Sequence, residues 1–133
     1  MTQGKGSYVY DADGTEYLDL YGGHAVISIG HAHPHYVQMI SEQVAKLGFY
    51  SNSVENSLQQ QLADHLGRLS GYDDYSLFLC NSGAEANEGL IKLARKFGNA
   101  TGRNEIISME NSFHGRTLGT LAATGRKKYR QGF

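Results

Sequence analysis

The chain predicts an α/β fold that opens a parallel sheet, and three observations carry the prediction. After Gly71 the pattern runs strand, helix, strand, helix, an order and spacing that build a parallel sheet with right-handed crossovers. Before Gly71 an aromatic-rich hairpin leads into two amphipathic helices. With 40% apolar and 19% charged residues over 133 positions, the composition is that of a globular chain, long enough to be expected to bury a core.

The elements follow in order. Ser7-Tyr8-Val9-Tyr10 and Glu16-Tyr17-Leu18-Asp19-Leu20 are strand-forming, and Asp11-Ala12-Asp13-Gly14 between them is turn chemistry, predicting a β-hairpin. Tyr21 to Gly30, with its glycine pair and the apolar Ala25-Val26-Ile27, reads as irregular or extended. Pro34 suits a first helical turn; Val37, Ile40, Val44 and Leu47 then recur at three- and four-residue steps before Gly48. Leu58, Leu62, Leu66 and Leu69 mark a second helix that stops at Ser70-Gly71. The simplest use of both stripes is core contact. Tyr75 to Cys80 predicts a strand covered on both faces, Leu90, Leu93, Ala94 and Phe97 a helix ending at Gly98, Glu105 to Met109 a second strand, and Thr117 to Ala123 a further helix. The chain thus divides at residue 71 into an N-terminal segment, 1–71, and the beginning of an α/β domain, 72–133. A two-stranded parallel sheet leaves its edges open, so the chain is expected to be part of a longer one.

Composition also excludes partners. A formal net charge of −1 provides no field to draw nucleic acid or an anionic membrane, and the basic run Arg126, Lys127, Lys128, Arg130 reads as a solvated face. No apolar run reaches the roughly 18 residues of a membrane span, and Met1 to Gly6 have no signal-peptide core, so the expected compartment is the cytoplasm. Cys80 is the only cysteine; ending an apolar run, it is expected to be a buried, inert thiol in a reducing compartment.

Two segments carry chemistry. Asn81-Ser82-Gly83-Ala84-Glu85 stands between a strand and a helix, where the first helical N–H groups lack partners and the helix dipole favours an anion. Gly83 permits close approach and Ser82 adds a hydroxyl, which makes a phosphate cup. Ser82-x-x-Glu85 is equally a capping box that needs no ligand. Asn111-Ser112-Phe113-His114-Gly115-Arg116-Thr117 also follows a strand and offers an aromatic face and a planar guanidinium fork suited to carboxylate or phosphate; read alone it is also simply a loop with a packed Phe and a surface Arg. On one sheet edge the two segments suit a planar, phosphorylated cofactor acting on an amino acid. A third segment, His31, His33 and His35, alternates like a metal site. Pro34 breaks the alternation, and no Cys, Asp or Glu adjoins it to complete a ligand set; a structured turn is the expectation. His24 reads as a structural or cavity-lining histidine and His65 as solvated.

With these residues in view, the chain resembles the N-terminal part of the class III aminotransferases of fold type I, most closely the acetylornithine/succinylornithine branch. The resemblance rests on an ordered set: Tyr10-Asp11 with Gly14 and Tyr17-Leu18-Asp19; Gly30-His31 with His33-Pro34; Ser51-Asn52; Asn81 through Glu88; Lys92-Leu93-Ala94-Arg95; Ser112 through Thr117; and Ala123-Thr124-Gly125. It covers almost the full chain.

The resemblance implies that pyridoxal 5′-phosphate is the cofactor, with Ser82, Gly83 and Ala84 on its phosphate and Phe113 stacked on its ring. It implies that Arg116 binds a substrate carboxylate and that His24 lines the substrate side. It implies transfer of the δ-amino group of N-acetyl- or N-succinylornithine to 2-oxoglutarate, in arginine biosynthesis, by a homodimer with Phe49 to Asn52 near the partner's site. The family's Schiff-base lysine matches none of Lys5, Lys46, Lys92, Lys96, Lys127 or Lys128 and is expected beyond residue 133, so the chain alone should be inactive. Competing expectations are a related aminotransferase acting on ornithine or a 4-aminobutyrate-like ω-amine, a non-catalytic module for phosphorylated ligands, and, weakest, a metal-binding protein.

Overall fold

The computed structural model describes all 133 residues, which form two compact units, residues 1–60 and 61–133. The first unit opens on a three-stranded antiparallel sheet of order β1-β2-β3: β1 (Gln3–Lys5), β2 (Tyr8–Tyr10) and β3 (Glu16–Leu18). The predicted hairpin is β2–β3, with Val9 opposite Tyr17 and Tyr10 opposite Glu16. Its turn is built by Asp11, whose Oδ1 accepts from the N–H of Asp13 at 3.0 Å and of Thr15 at 2.9 Å, while Tyr17 Oη donates to its Oδ2 at 2.9 Å. Those bonds, led by that of Thr15, hold the Asp11 carboxyl below its ordinary range. Gly14 takes φ +81°, the left-handed conformation the turn requires. The sequence reading missed β1, a short Gly-Lys edge without β-forming residues that pairs in the register Gln3 to Tyr10.

The stretch after β3 is irregular rather than extended. The short turn α1 (Gly22–Ala25) runs through the left-handed region, with φ +58° at Gly22, +57° at Gly23, +66° at His24 and +61° at Ala25. Glycine takes this conformation freely, whereas His24 and Ala25 each give up about 1–2 kcal/mol. The turn is closed by bonds from Ala25 N–H to Tyr21 O at 3.0 Å and from Val26 N–H to Gly22 O at 2.9 Å.

The helices stand where periodicity places them: α2 (Pro34–Leu47) with Pro34 in its first turn, and α3 (Ser57–Ser70), followed by Gly71 at φ +77°. In the second unit follow α4 (Gly83–Asn99), α5 (Leu118–Ala123) and the short α6 (Lys127–Arg130). No helix is long and apolar enough to cross a membrane.

Three expectations are corrected here. Residues 75–80 and 105–109 form no strand: no ladder joins them to each other or to any segment, and Ile107 is 97% exposed. Strand formation depends on neighbours more than on intrinsic preference, and these segments have none within the 133 residues. For the same reason Cys80 is exposed rather than buried. The amphipathic stripes do not bury a core either, since Val44, Leu62, Leu66, Leu93 and Phe97 are all exposed. The first unit has no fully buried residue, and the buried set of the second is Gly98, Gly115, Thr120, Leu121 and Thr124.

Candidate functional site

The second unit holds the two chemistry-bearing segments. Ser82 is the N-cap of α4 in extended conformation, φ −134° and ψ 160°, and the capping box is formed. Ser82 Oγ accepts from Glu85 N–H at 3.2 Å; Glu85 Oε2 accepts from Ser82 N–H at 3.3 Å and from Asn81 N–H at 2.5 Å. The cap does not use up the helix end. Ala86 N–H returns to Ser82 O, and the N–H groups of Gly83 and Ala84, the first two of a 17-residue helix, have no protein acceptor. Space beside Gly83 is open, with no heavy atom within 4 Å of where a Cβ would stand. Two backbone donors, the Ser82 hydroxyl proton and the positive end of the helix are therefore available at this exposed helix end.

The second segment is docked directly on this helix. Asn87 Nδ2 donates to His114 O at 2.8 Å, and a Cβ at Gly115 would lie 2.8 Å from Ala84 Cβ. Gly115 has φ +139°, so both its backbone and its neighbours demand glycine. Beneath the loop, fully buried Thr124 accepts from His114 N–H at 3.1 Å and donates toward Thr120 O at 3.0 Å. Asn111, at φ +60°, starts the loop in a conformation asparagine tolerates, and Arg126 Nε donates to its carbonyl at 3.1 Å.

Phe113 and Arg116 stand together on the outer side of this loop. The Arg116 guanidinium lies 5.4 Å from the Phe113 ring centroid, and Tyr129 meets the same ring edge-on at 5.5 Å. Arg116 is exposed and has neither ion pair nor hydrogen bond, so its fork is free for an incoming anion. Phe113 is half exposed, which leaves ring surface available to a planar ligand.

His24 lies in the first unit, on the left-handed turn. Tyr21 Oη and His24 Nδ1 are 2.5 Å apart, and their rings are tilted at 59°. The turn is anchored by Asp19, whose Oδ1 accepts from Tyr21 N–H at 3.0 Å and Gly22 N–H at 2.8 Å. Its Oδ2 is 2.6 Å from His31 Nε2. The His31 bond, then that of Gly22, holds the Asp19 carboxyl below its ordinary range. His31 is thus engaged with a carboxylate, and its backbone bridges to Gly6 in both directions at 2.8 and 2.9 Å. His33 caps α2 and His35 lies within it; no three His, Cys, Asp or Glu side chains gather where a metal could sit.

Solved structures share this architecture. A thermostable omega transaminase mutant from Pseudomonas jessenii superposes with a TM-score of 0.87 at 28% identity, over 98% of this chain and 30% of that one. An (S)-enantioselective omega-transaminase from Thermomicrobium roseum does so with a TM-score of 0.83 at 30% identity, over 99% of this chain and 31% of that one. The fold is that of the fold type I transaminases. The family described as aminotransferase class-III matches residues 1–133, and the chain belongs to it. Among curated relatives, the acetylornithine aminotransferase of Methanocaldococcus jannaschii is 52% identical over 136 aligned residues, covering all of this chain and 34% of its own length. That of Halalkalibacterium halodurans is 49% identical over 133 residues, covering all of this chain and 33% of its own. The chain therefore spans about a third of the length of the curated relatives it matches.

Membership implies pyridoxal phosphate, and the geometry fits it. A dianionic phosphate matches the free N–H groups of Gly83 and Ala84 with the Ser82 hydroxyl, and a flat ring matches the open part of Phe113. Sequence reasoning named these residues but missed Asn87, Glu88, Thr120 and Thr124, which hold the loop in place. Their one local signal was the run of threonines at 117, 120 and 124, spaced along one helical face.

Proposed function

We propose that the full protein is a cytoplasmic, homodimeric, pyridoxal-phosphate-dependent aminotransferase that moves the δ-amino group of N-acetylornithine, or its succinyl analogue, to 2-oxoglutarate, in arginine biosynthesis. The observation that carries this reading is the unpaired Arg116 fork stacked on Phe113, in a loop docked on the open N-terminus of α4. The 49% and 52% identities to acetylornithine aminotransferases support the choice of amino donor. An ω-amine donor is the second reading, favoured by the names of the solved neighbours at 28% and 30% identity.

When bound, the cofactor supplies an electron sink for the carbon that bears the substrate nitrogen. The chain's own residues bind and orient. Gly83 and Ala84 N–H and the Ser82 hydroxyl would hold the cofactor phosphate. Phe113 would offer its exposed ring surface to the cofactor ring. Arg116 takes the α-carboxylate of the acylornithine in a bidentate pair, which directs the δ-amino group away from the clamp and toward the ring, and it takes a carboxylate of 2-oxoglutarate in the return half-reaction. For His24, whose ring is held by Tyr21, a place on the substrate side rests on the family resemblance alone. We assign the lysine that links to the cofactor to the part of the protein outside these 133 residues. Lys92 and Lys96 point from the exposed surface of α4, and Lys5, Lys46, Lys127 and Lys128 lie on other elements.

The test is made on the full protein. Addition of pyridoxal phosphate should produce a visible absorbance band, and glutamate should form from 2-oxoglutarate faster with N-acetylornithine than with ornithine or 4-aminobutyrate. A protein that gains no band ends the enzyme reading; a preference for 4-aminobutyrate ends the choice of donor.

A further inference from the structure

We propose that Glu88, supported by Asn87, is a positioning residue for the Arg116 loop, acting through Thr117 and Thr120. The inference rests on the reading of Arg116 as the carboxylate clamp. Thr117 is the N-cap of α5, yet its side chain makes no cap bond to its own helix. Instead the Thr117 hydroxyl donates to Glu88 Oε1, and the same oxygen accepts from the backbone N–H of Thr120 at 3.2 Å. Thr120 occupies the third position of α5, so its N–H is one that an N-cap side chain ordinarily satisfies. Glu88 has taken over the capping of α5 from a different helix, and its charge suits the positive end of that helix.

The surroundings are built for this carboxylate. A Cβ at Gly119 would stand 2.6 Å from Glu88 Oε2, so glycine is what lets Glu88 come so close. Thr117 Oγ1 and Thr120 Oγ1 are 2.7 Å apart, and Thr120 is fully buried. One residue before Glu88, Asn87 holds His114 O. Arg116 thus lies between two anchored residues, His114 held by its backbone carbonyl and Thr117 by its hydroxyl, both fastened to consecutive residues of the helix whose N-terminus is the proposed phosphate seat. A side chain with four rotatable bonds, itself unbonded, is aimed chiefly by its backbone, and here that backbone is referenced to α4. The consequence is a fixed offset between the phosphate seat and the carboxylate clamp, on which the distance from cofactor to substrate amine depends.

The experiment compares Thr117→Val, which keeps shape and loses the hydroxyl, with Thr117→Ser, which restores it, and with Glu88→Gln, in the full protein loaded with pyridoxal phosphate. Two readouts are taken. The first is the steady-state split: Thr117→Val should raise KM for 2-oxoglutarate about 5- to 50-fold with kcat changed by less than about threefold, as expected when a binding group loses its aim. The second is trypsin cleavage after Arg116, which should quicken roughly tenfold as the loop opens more often. Thr117→Ser should return both to wild-type values, and Glu88→Gln, which keeps an accepting oxygen but loses the charge, should move both in the same direction as Thr117→Val by a smaller amount. Unchanged cleavage in Thr117→Val and Glu88→Gln would overturn the anchoring. Faster cleavage with unmoved KM would show a merely structural contact and overturn the positioning role. A wild-type protein with no turnover of any donor would remove the proposed function instead, while the cleavage comparison still decides whether Glu88 holds the loop.

Discussion

Arg116→Lys in the full protein keeps the positive charge and removes the fork. The structure shows what is lost. The guanidinium has no carboxylate partner of its own, so its hydrogen-bonding capacity is available to substrate, and it is steadied only by the Phe113 ring at 5.4 Å. A lysine replaces a bidentate pair with a single contact, and one charge-assisted hydrogen bond contributes about 1.5–3 kcal/mol. The exposed stacking contact adds about 0.5–1 kcal/mol of pre-orientation that an ammonium retains only in part. Together these come to about 2–4 kcal/mol, or roughly 30- to 1000-fold in kcat/KM. The loss should appear for N-acetylornithine and for 2-oxoglutarate when each is varied separately. Cofactor absorbance should hold, because the proposed phosphate donors, Ser82, Gly83 and Ala84, are separate from Arg116. Because Phe113 and Arg116 touch, Phe113→Leu should weaken cofactor retention and also couple to Arg116→Lys by about 0.5–1 kcal/mol in a double-mutant cycle. If Arg116→Lys released the cofactor and left substrate kinetics intact, Arg116 would belong to the phosphate site and the clamp assignment would be wrong.

Three further outcomes are expected. Ser82→Asp preserves the N-cap, so the melting temperature should stay near wild type, but it sets a carboxylate against the phosphate; cofactor affinity should fall at least roughly tenfold, and unchanged affinity would reduce Ser82 to a cap alone. Gly115→Ala forces a Cβ to 2.8 Å from Ala84 Cβ at φ +139° and should cost about 1–3 kcal/mol of stability, read as a lower melting temperature; a neutral result would contradict the docking of the loop on α4. Asp19 has its carboxyl pKa lowered in the folded state, first by His31 and then by Gly22, so its contribution is complete above the ordinary aspartate value and is lost as pH falls through the lower folded one. The melting temperatures of wild type and Asp19→Asn should therefore converge as pH drops below about 4, and a gap that persists unchanged into acid would argue against the Asp19 anchor.

Much of the molecule was legible because its signals are local. The Asp11–Gly14 turn, the Pro34 start of α2, the leucine steps of α3 and the Ser82–Glu85 box each lie within a few residues, where backbone preference and side-chain capping act directly. The candidate residues Ser82, Gly83, Ala84, Phe113 and Arg116 could be named from the sequence, but their local pattern fitted a capping box and a plain loop equally well, and their cofactor and substrate roles came from the family resemblance. What only the tertiary structure decided spans greater separations. The Asp19–His31 pair bridges 12 residues, the Asn87–His114 bond 27 and the Glu88–Thr120 bond 32, and no periodicity encodes such partners. Nor could the sequence show that His24 and Ala25 follow Gly22 and Gly23 into the left-handed region, since two residues that pay for that conformation hold it only because Asp19 and Tyr21 secure the turn. The strand-like runs 75–80 and 105–109 teach the converse. Their apolar, branched residues are suited to a sheet, but a strand exists only where a neighbour completes its hydrogen bonds, and that is a property of the tertiary structure.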